Sequence, residues 1–319
     1  LKMDTETLTI QRAPFPWFGG KSRAAELIWS RLGPVANYVE PFAGSLAVLL
    51  ARPHPPKTET VNDLDCYLAN FWRALIHAPG ETAKYADSPI NEADLHARHT
   101  LLMESKAEHR ERMLTDPGYF DAKLAGWWVW GQCAWIGTGW TVEKSRKLPH
   151  HGDAGRGVNR QLPHLGDAGR GVNRQLPHLG DAGQAILDYF AALSTRLRRV
   201  RVACGSWERV LGDSVTWRHG VTGIVLDPPY EEGEMAYAEH SGISREVRDW
   251  CAENGDNRML RIALCGLDGE HDLPGWDCVP WKALGGYGSQ RTEGTNNNRK
   301  RERIWFSPHS LSTDDLFSK

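Results

Sequence analysis

The sequence predicts an α/β fold: a mostly parallel sheet with helices on both faces, into which one long segment is inserted. Two observations carry this. Short apolar runs alternate with stretches of helical periodicity, the pattern left by parallel strands joined through crossover helices. The middle of the chain, 76–194, breaks that alternation, being polar and helix-prone at first and then dense in Gly, Pro, Asn and Asp.

Taken in order, Asn37 to Phe42 reads as a short strand, followed by a turn at Gly44 and an apolar helix from Leu46 to Arg52. Thr60 to Asn62 ends a second strand. Leu64, Leu68, Phe71 and Leu75 recur at helical spacing in LDCYLANFWRALIHA, which stops at Pro79-Gly80. From 80 to 125 the chain shows helix-forming residues and no strand pattern. AILDYFAALSTRLRRV is an amphipathic helix leading into the strand VRVACGS, and TGIVL, MLRIALCG and RERIWF are further strands. The expected division is a sheet domain of 1–75 and 195–319 around an inserted region of 76–194.

Composition narrows the class. At 319 residues the chain can bury a large core without disulfide staples. Lys and Arg number 38 against 40 Asp and Glu, a formal charge of -2, so any basic surface is local. No apolar run reaches the roughly 18 residues of a membrane span. The six cysteines, Cys66, Cys133, Cys204, Cys251, Cys265 and Cys278, include no C-x-x-C pair. Free thiols, a cytoplasmic location and no structural metal are the expectation, with Cys133 and Cys204 read as packing residues.

Ligands of an open parallel sheet sit at the carboxyl ends of its strands, which directs attention to four stretches. Pro16 to Arg23, PWFGGKSR, combines two glycines, a cation at Lys21 and an aromatic pair; it also reads as a plain turn. Val39 to Gly44, VEPFAG, places an acid at a strand end before a tight turn that opens a helix, which suits a nucleoside. Asp63, in VND, ends the next strand, where a carboxylate can accept from ribose hydroxyls; it could instead cap the following helix. The fourth, Asp227-Pro228-Pro229-Tyr230, is the most specific. A carboxylate and a proline-flanked carbonyl are acceptors that can hold both hydrogens of an exocyclic amine, and the tyrosine ring offers a face for a planar base.

PWFGGK, VEPFAG, VND and LDPPY, in that order, resemble the Dam-like family of DNA adenine N6-methyltransferases. The resemblance covers about 1–75 and 195–319, and the inserted region by position only. It implies a Rossmann-like class I methyltransferase sheet, S-adenosyl-L-methionine as methyl donor without a metal, and double-stranded DNA as substrate. Trp17, Lys21, Glu40, Phe42, Gly44, Asp63, Ser206 and Asp227 would then contact the cofactor. Asp227, Pro228, Pro229 and Tyr230 would clamp an adenine flipped from the duplex, and the inserted region would read the target. A bacterial cell or phage-infected host, and a monomer or weak dimer, fit the same reading. Two departures stand out: the family's F-x-G-x-G turn has Leu46 at its second glycine, and its Asn-rich recognition segment is replaced by GQCAWIGTGW.

The insertion carries two further features. KLPHHGDAGRGVNR at 147–160 recurs at 161–174 and in part from 175, with five basic residues against three acidic between 147 and 184, a net +2. Arg156, Arg160, Arg170 and Arg174 on glycine-rich turns could each meet a DNA phosphate, as could Arg299 and Lys300 in NNNRKRER; a hydrogen-bonded surface array is the competing reading of the repeats. His150, His164 and His178 recur at 14-residue intervals, which is not metal-ligand spacing. Trp127, Trp128, Trp130, Trp135 and Trp140 read as the core of a small subdomain, with Gly137 and Gly139 suggesting a loop able to cover a base.

Rival activities remain at this stage. The same clamp fits the N4 amine of cytosine, an RNA guanine N2 enzyme shares the Pro-Pro-Tyr turn, and a catalytically idle relative would only bind DNA. A cytosine C5 reaction needs a nucleophilic thiolate, usually within a Pro-Cys pair, and the chain contains none.

Overall fold

The computed structural model describes residues 14, 15, 17, 19–89, 91–116, 118–135, 140–141, 185–230, 242–281 and 301–312. The chain forms two compact units, one of 1–12, 17–62 and 206–319 and the other of 13–16 and 63–205.

The first unit is built on strands β1 (Asn37–Glu40), β2 (Thr58–Asp63), β4 (Thr222–Leu226), β5 (Leu260–Leu267), β6 (Asp277–Pro280) and β7 (Glu302–Phe306), in the spatial order β2-β1-β4-β5-β7-β6. The β2, β1, β4 and β5 neighbours run parallel, and β7 is antiparallel to both β5 and β6. Two reversals restore direction, so β6 ends at the same edge as β4 and β5, and β7 begins there. Every residue of β1 and of β4 is buried, as expected of strands covered on both faces. Register aligns Val39, Ile224 and Ile262 in one row across β1, β4 and β5.

Helices α1 (Ala25–Leu32), α2 (Ala47–Leu50) and α8 (Ile243–Asn254) complete this unit. On β4, a Cβ at Gly223 would come within 3.2 Å of Leu32 and 3.3 Å of Val35, so the glycine lets α1 and the segment after it pack close. A buried ion pair, Arg52 to Glu59 at 3.0 Å, ties the end of α2 to β2, and Arg52 also donates to the Val35 carbonyl. Sequence periodicity did not reveal α1, α8 or β6. The last is only four residues long and half polar, too short for alternation to register.

The second unit holds α3 (Cys66–His77), α4 (Pro79–Ala86), α5 (Glu92–Thr115), α6 (Ala122–Ala134), α7 (Ala185–Leu197) and strand β3 (Val200–Cys204). Three of its helices start on side-chain caps that satisfy otherwise orphaned N–H groups: Asp65 for α3, Asn91 for α5 and Asp121 for α6. The capping role considered for Asp63 belongs to Asp65, while Asp63 accepts from the Asp65 backbone N–H at 3.0 Å. Pro79 does not merely end α3. It occupies the first turn of α4, where a missing N–H costs nothing.

Trp128, Trp130, Trp135 and Trp140 are buried, and Trp127 is partly exposed. The Trp140 indole donates to the Trp128 carbonyl at 2.9 Å, and Trp130 donates to the Ser88 carbonyl at 2.8 Å. Phe71, Trp72 and Trp128 surround Phe15 with centroids 5.1 to 5.7 Å away. Trp128, Trp130, Trp135 and Trp140 therefore form core, and Trp127 lies at its margin. Gly137 and Gly139 lie outside the described residues.

Candidate active site

The glycine turn after β1 is the first component. Gly44 has φ +46°, and a Cβ there would stand 2.6 Å from the Trp17 indole nitrogen, so both its conformation and its neighbour require glycine. Leu46 follows in the left-handed region as well, at φ 57° and ψ 24°. Leucine has therefore replaced glycine in the F-x-G-x-G pattern without removing the conformation that favours glycine. Left-handed backbone costs a leucine about 1–2 kcal/mol, and the side chain's complete burial offsets it. The Ala43 N–H bonds the Asn62 carbonyl of β2 at 2.9 Å, anchoring the turn.

Beside the turn, Glu40 ends β1 with its side chain buried and accepts from the Tyr38 hydroxyl at 3.0 Å. Phe42 stacks on Trp207 at 6.2 Å and 23°. Trp207 escaped the sequence reading, although the adjoining Ser206 did not. Ser206 itself is exposed, at 3.5 Å from Glu208.

The second component lies directly after β4. Asp227 receives Lys21 at 2.7 Å on one carboxylate oxygen and the Tyr230 hydroxyl at 3.3 Å on the other. Lys21 also donates to the Gly19 carbonyl at 2.8 Å, a contact supplied by the bend of the Gly-Gly segment. Burial disfavours charge on Lys21, but the Asp227 carboxylate and the acidic groups around it outweigh that and hold the ammonium well above its usual range. Burial likewise pushes the Tyr230 phenol up, with Asp227 reinforcing it, so the phenol stays a donor at neutral pH. Pro228 is buried and Pro229 exposed.

Two more residues join this cluster, neither of them foreseen. The Trp281 ring lies 5.6 Å from the Lys21 ammonium, and the Tyr230 ring lies 5.5 Å from it. Glu302, at the start of β7, accepts the Trp281 backbone N–H through its own carbonyl at 3.2 Å. Burial raises the Glu302 carboxyl, Lys21 opposes that rise and Asp227 adds to it. The only available sequence signal was position, since both residues sit at the carboxyl edge of the sheet.

The structure thus brings together Lys21, Asp227 and Tyr230 in one cluster, Trp17 against Gly44 in another, and Phe42 against Trp207 in a third. Asp63 ends β2, and its carbonyl accepts from the Gly205 N–H. Arg156, Arg160, Arg170, Arg174, Arg299, Lys300 and the histidines of the repeats lie outside the described residues. Among the described residues, no group of three or more His, Cys, Asp or Glu could hold a metal ion, and no helix is long and apolar enough to cross a membrane. Cys133 and Cys204 are buried; burial pushes both thiols up, Cys204 to about 11, which suits packing and not nucleophilic attack.

An α/β sheet with a glycine turn after its first strand, and an Asp-Pro-Pro-Tyr acceptor cluster at the end of β4, defines a Rossmann-like methyltransferase. Comparison points the same way: residues 17–114 match the model of the D12 class N6 adenine-specific DNA methyltransferase family, which bears out the resemblance carried by the motifs. The chain is accordingly an enzyme of DNA adenine methylation, with S-adenosyl-L-methionine as the implied donor and DNA as the implied substrate. No curated protein matches the chain.

The residues present fit that donor. An adenine ring would need a flat apolar wall, which Phe42 and Trp207 could form, and the α-ammonium of the methionine end would need a carboxylate, which Glu40 could supply beside the glycine turn.

Proposed function

We propose that the chain methylates the N6 amine of an adenine extruded from double-stranded DNA, with S-adenosyl-L-methionine held by Trp17, Glu40, Phe42, Gly44, Asp63 and Ser206. The cofactor, when bound, supplies an electrophilic methyl group on a sulfonium. All the remaining work falls to the protein.

The observation that carries this reading is the state of Asp227. Its carboxylate is oriented by Lys21 on one side and carries the Tyr230 hydroxyl on the other at the longer distance of 3.3 Å. That longer bond is the one a target amine would replace. Asp227 and the Pro228 carbonyl then accept the two N–H groups, which turns the nitrogen lone pair outward. Tyr230, released from Asp227, presents its ring to the base, where stacking contributes roughly 1–3 kcal/mol towards the cost of extrusion.

As the N6–CH3 bond forms and the S–CH3 bond breaks, positive charge develops on N6. A carboxylate held by a buried ammonium faces that charge without reorganising, and the extra proton leaves afterwards to solvent. Lys21 serves here as a positioning residue. The same clamp would accept the N4 amine of cytosine, and the test must separate the two.

The experiment is incubation with isotope-labelled S-adenosyl-L-methionine and mixed-sequence duplex DNA, followed by nucleoside mass spectrometry. Labelled N6-methyladenine is expected with the unaltered chain and none with D227A. N4-methylcytosine as the sole product would overturn the choice of base, and full activity in D227A would overturn the site.

A further inference from the structure

The geometry points to Trp281 as a target-base contact: its indole N–H donates to a ring nitrogen flanking the amine that Asp227 holds. This deepens the proposed function and rests on it for the identity of the base. Three observations carry it.

The first is an orphaned donor. Trp281 is 8% exposed, and its indole nitrogen is buried without a hydrogen-bond partner. A buried indole N–H usually finds an acceptor, and leaving one unmade is costly. Glu302, joined to Trp281 through the backbone, also has a buried carboxylate oxygen, Oε2, without a partner. Two unmet polar atoms on neighbouring residues mark a wall built to receive something polar.

The second is place. Trp281 follows β6 at the edge where β4 delivers Asp227, and its ring faces the same ammonium that holds Asp227. The strand order puts the β1 turn on one side of β4 and the β5, β7 and β6 group on the other. With the cofactor residues Glu40, Phe42 and Gly44 on the β1 side, the wall of Trp281 and Glu302 falls on the side left for the amine's owner.

The third is chemistry. Once both N6 hydrogens of adenine are taken by acceptors, the atoms still needing partners beside the amine are N1 and N7, and both accept. The unmet group of Trp281 is a donor, the complement of either.

The test uses the full-length chain labelled with 15N in its tryptophan indoles and saturated with S-adenosyl-L-homocysteine, so that added nucleoside cannot occupy the cofactor site. The Trp281 resonance is assigned by its loss in W281F, or in W281Y should the first variant not fold. Titration with 2′-deoxyadenosine is expected to move that resonance downfield, and either the 1-deaza or the 7-deaza analogue to abolish the movement while the other preserves it. In methylation assays W281F should lose about tenfold in kcat/KM, the scale of one hydrogen bond, with affinity for S-adenosyl-L-homocysteine unchanged. An unmoved Trp281 resonance at saturating 2′-deoxyadenosine, or equal movement with both analogues, overturns the inference. The indole readout requires no turnover, so a chain that binds the base but fails to methylate it would refute the activity and leave this contact standing.

Discussion

Replacing Lys21 by methionine removes the ammonium from Asp227 while keeping most of the buried stem, and this makes it the sharpest probe of the clamp. The pair is separated by 2.7 Å, with side chains 5% and 25% exposed. At an effective dielectric of about 20, charges at that distance attract by roughly 6 kcal/mol before desolvation is subtracted. Breaking a buried pair by removing one partner typically costs about 3–5 kcal/mol, because the other charge is stranded. Partial exposure of Asp227 lets water compensate, so about 2–4 kcal/mol is expected for K21M in urea unfolding. D227N strands the Lys21 ammonium instead, the more deeply buried of the two charges, and should cost at least as much. The double variant K21M/D227N strands no charge and should recover at least about 2 kcal/mol relative to the sum of the single changes. None of the three should methylate DNA at the original rate. Additive stability losses in the double variant would refute the ion pair as the element that orients Asp227, and so would unaltered activity in K21M.

Leu46 offers a backbone test: L46G and L46A both lose a fully buried side chain, but only glycine relieves φ 57°. Both should be less stable than the original, with L46G more stable than L46A by about 1 kcal/mol, the reverse of their order in an ordinary helix, as chemical denaturation would show. Acid should weaken the second unit through His109, which stacks on Tyr67 at 4.7 Å, bonds the Tyr119 hydroxyl at 2.9 Å, and is held by burial down to about 4. Because the folded value is depressed, this contribution is complete above pH ~6.5 and is lost as pH falls towards 4; the loss is up to about 3 kcal/mol. An H109F variant should flatten that slope in pH-dependent unfolding. Removing one 14-residue repeat is expected to weaken DNA binding and make it less salt-dependent, because fewer arginines would release counterions; a filter-binding salt series showing no change would dismiss the repeats as phosphate contacts.

The parts of the site that were legible beforehand share one property: their chemistry is local. Asp227 to Tyr230 are four consecutive residues, and their donors and acceptors can be counted before any fold is known. Val39 to Gly44 is a strand, a turn and the approach to a helix in one short run. Lys21 stood out as a cation among glycines, yet its attachment to Asp227 spans 206 positions and no spacing rule connects them. Trp207 escaped notice for the same reason, since its ring meets Phe42 from across the sequence.

What the sequence by itself determined was the succession of β1 to β5 and β7 with the helices between β1 and β3, the glycine turn after β1 and the acceptor tetrad, because hydrophobic periodicity and turn chemistry act over a few residues. Only the tertiary structure decided that Leu46 keeps a left-handed backbone, that Asp65 and not Asp63 caps α3, and that β7 returns antiparallel to carry Glu302 beside Lys21. Strand pairing and burial gather residues from opposite ends of the chain at one sheet edge, and the charges and unmet hydrogen bonds at that edge exist only after they have met.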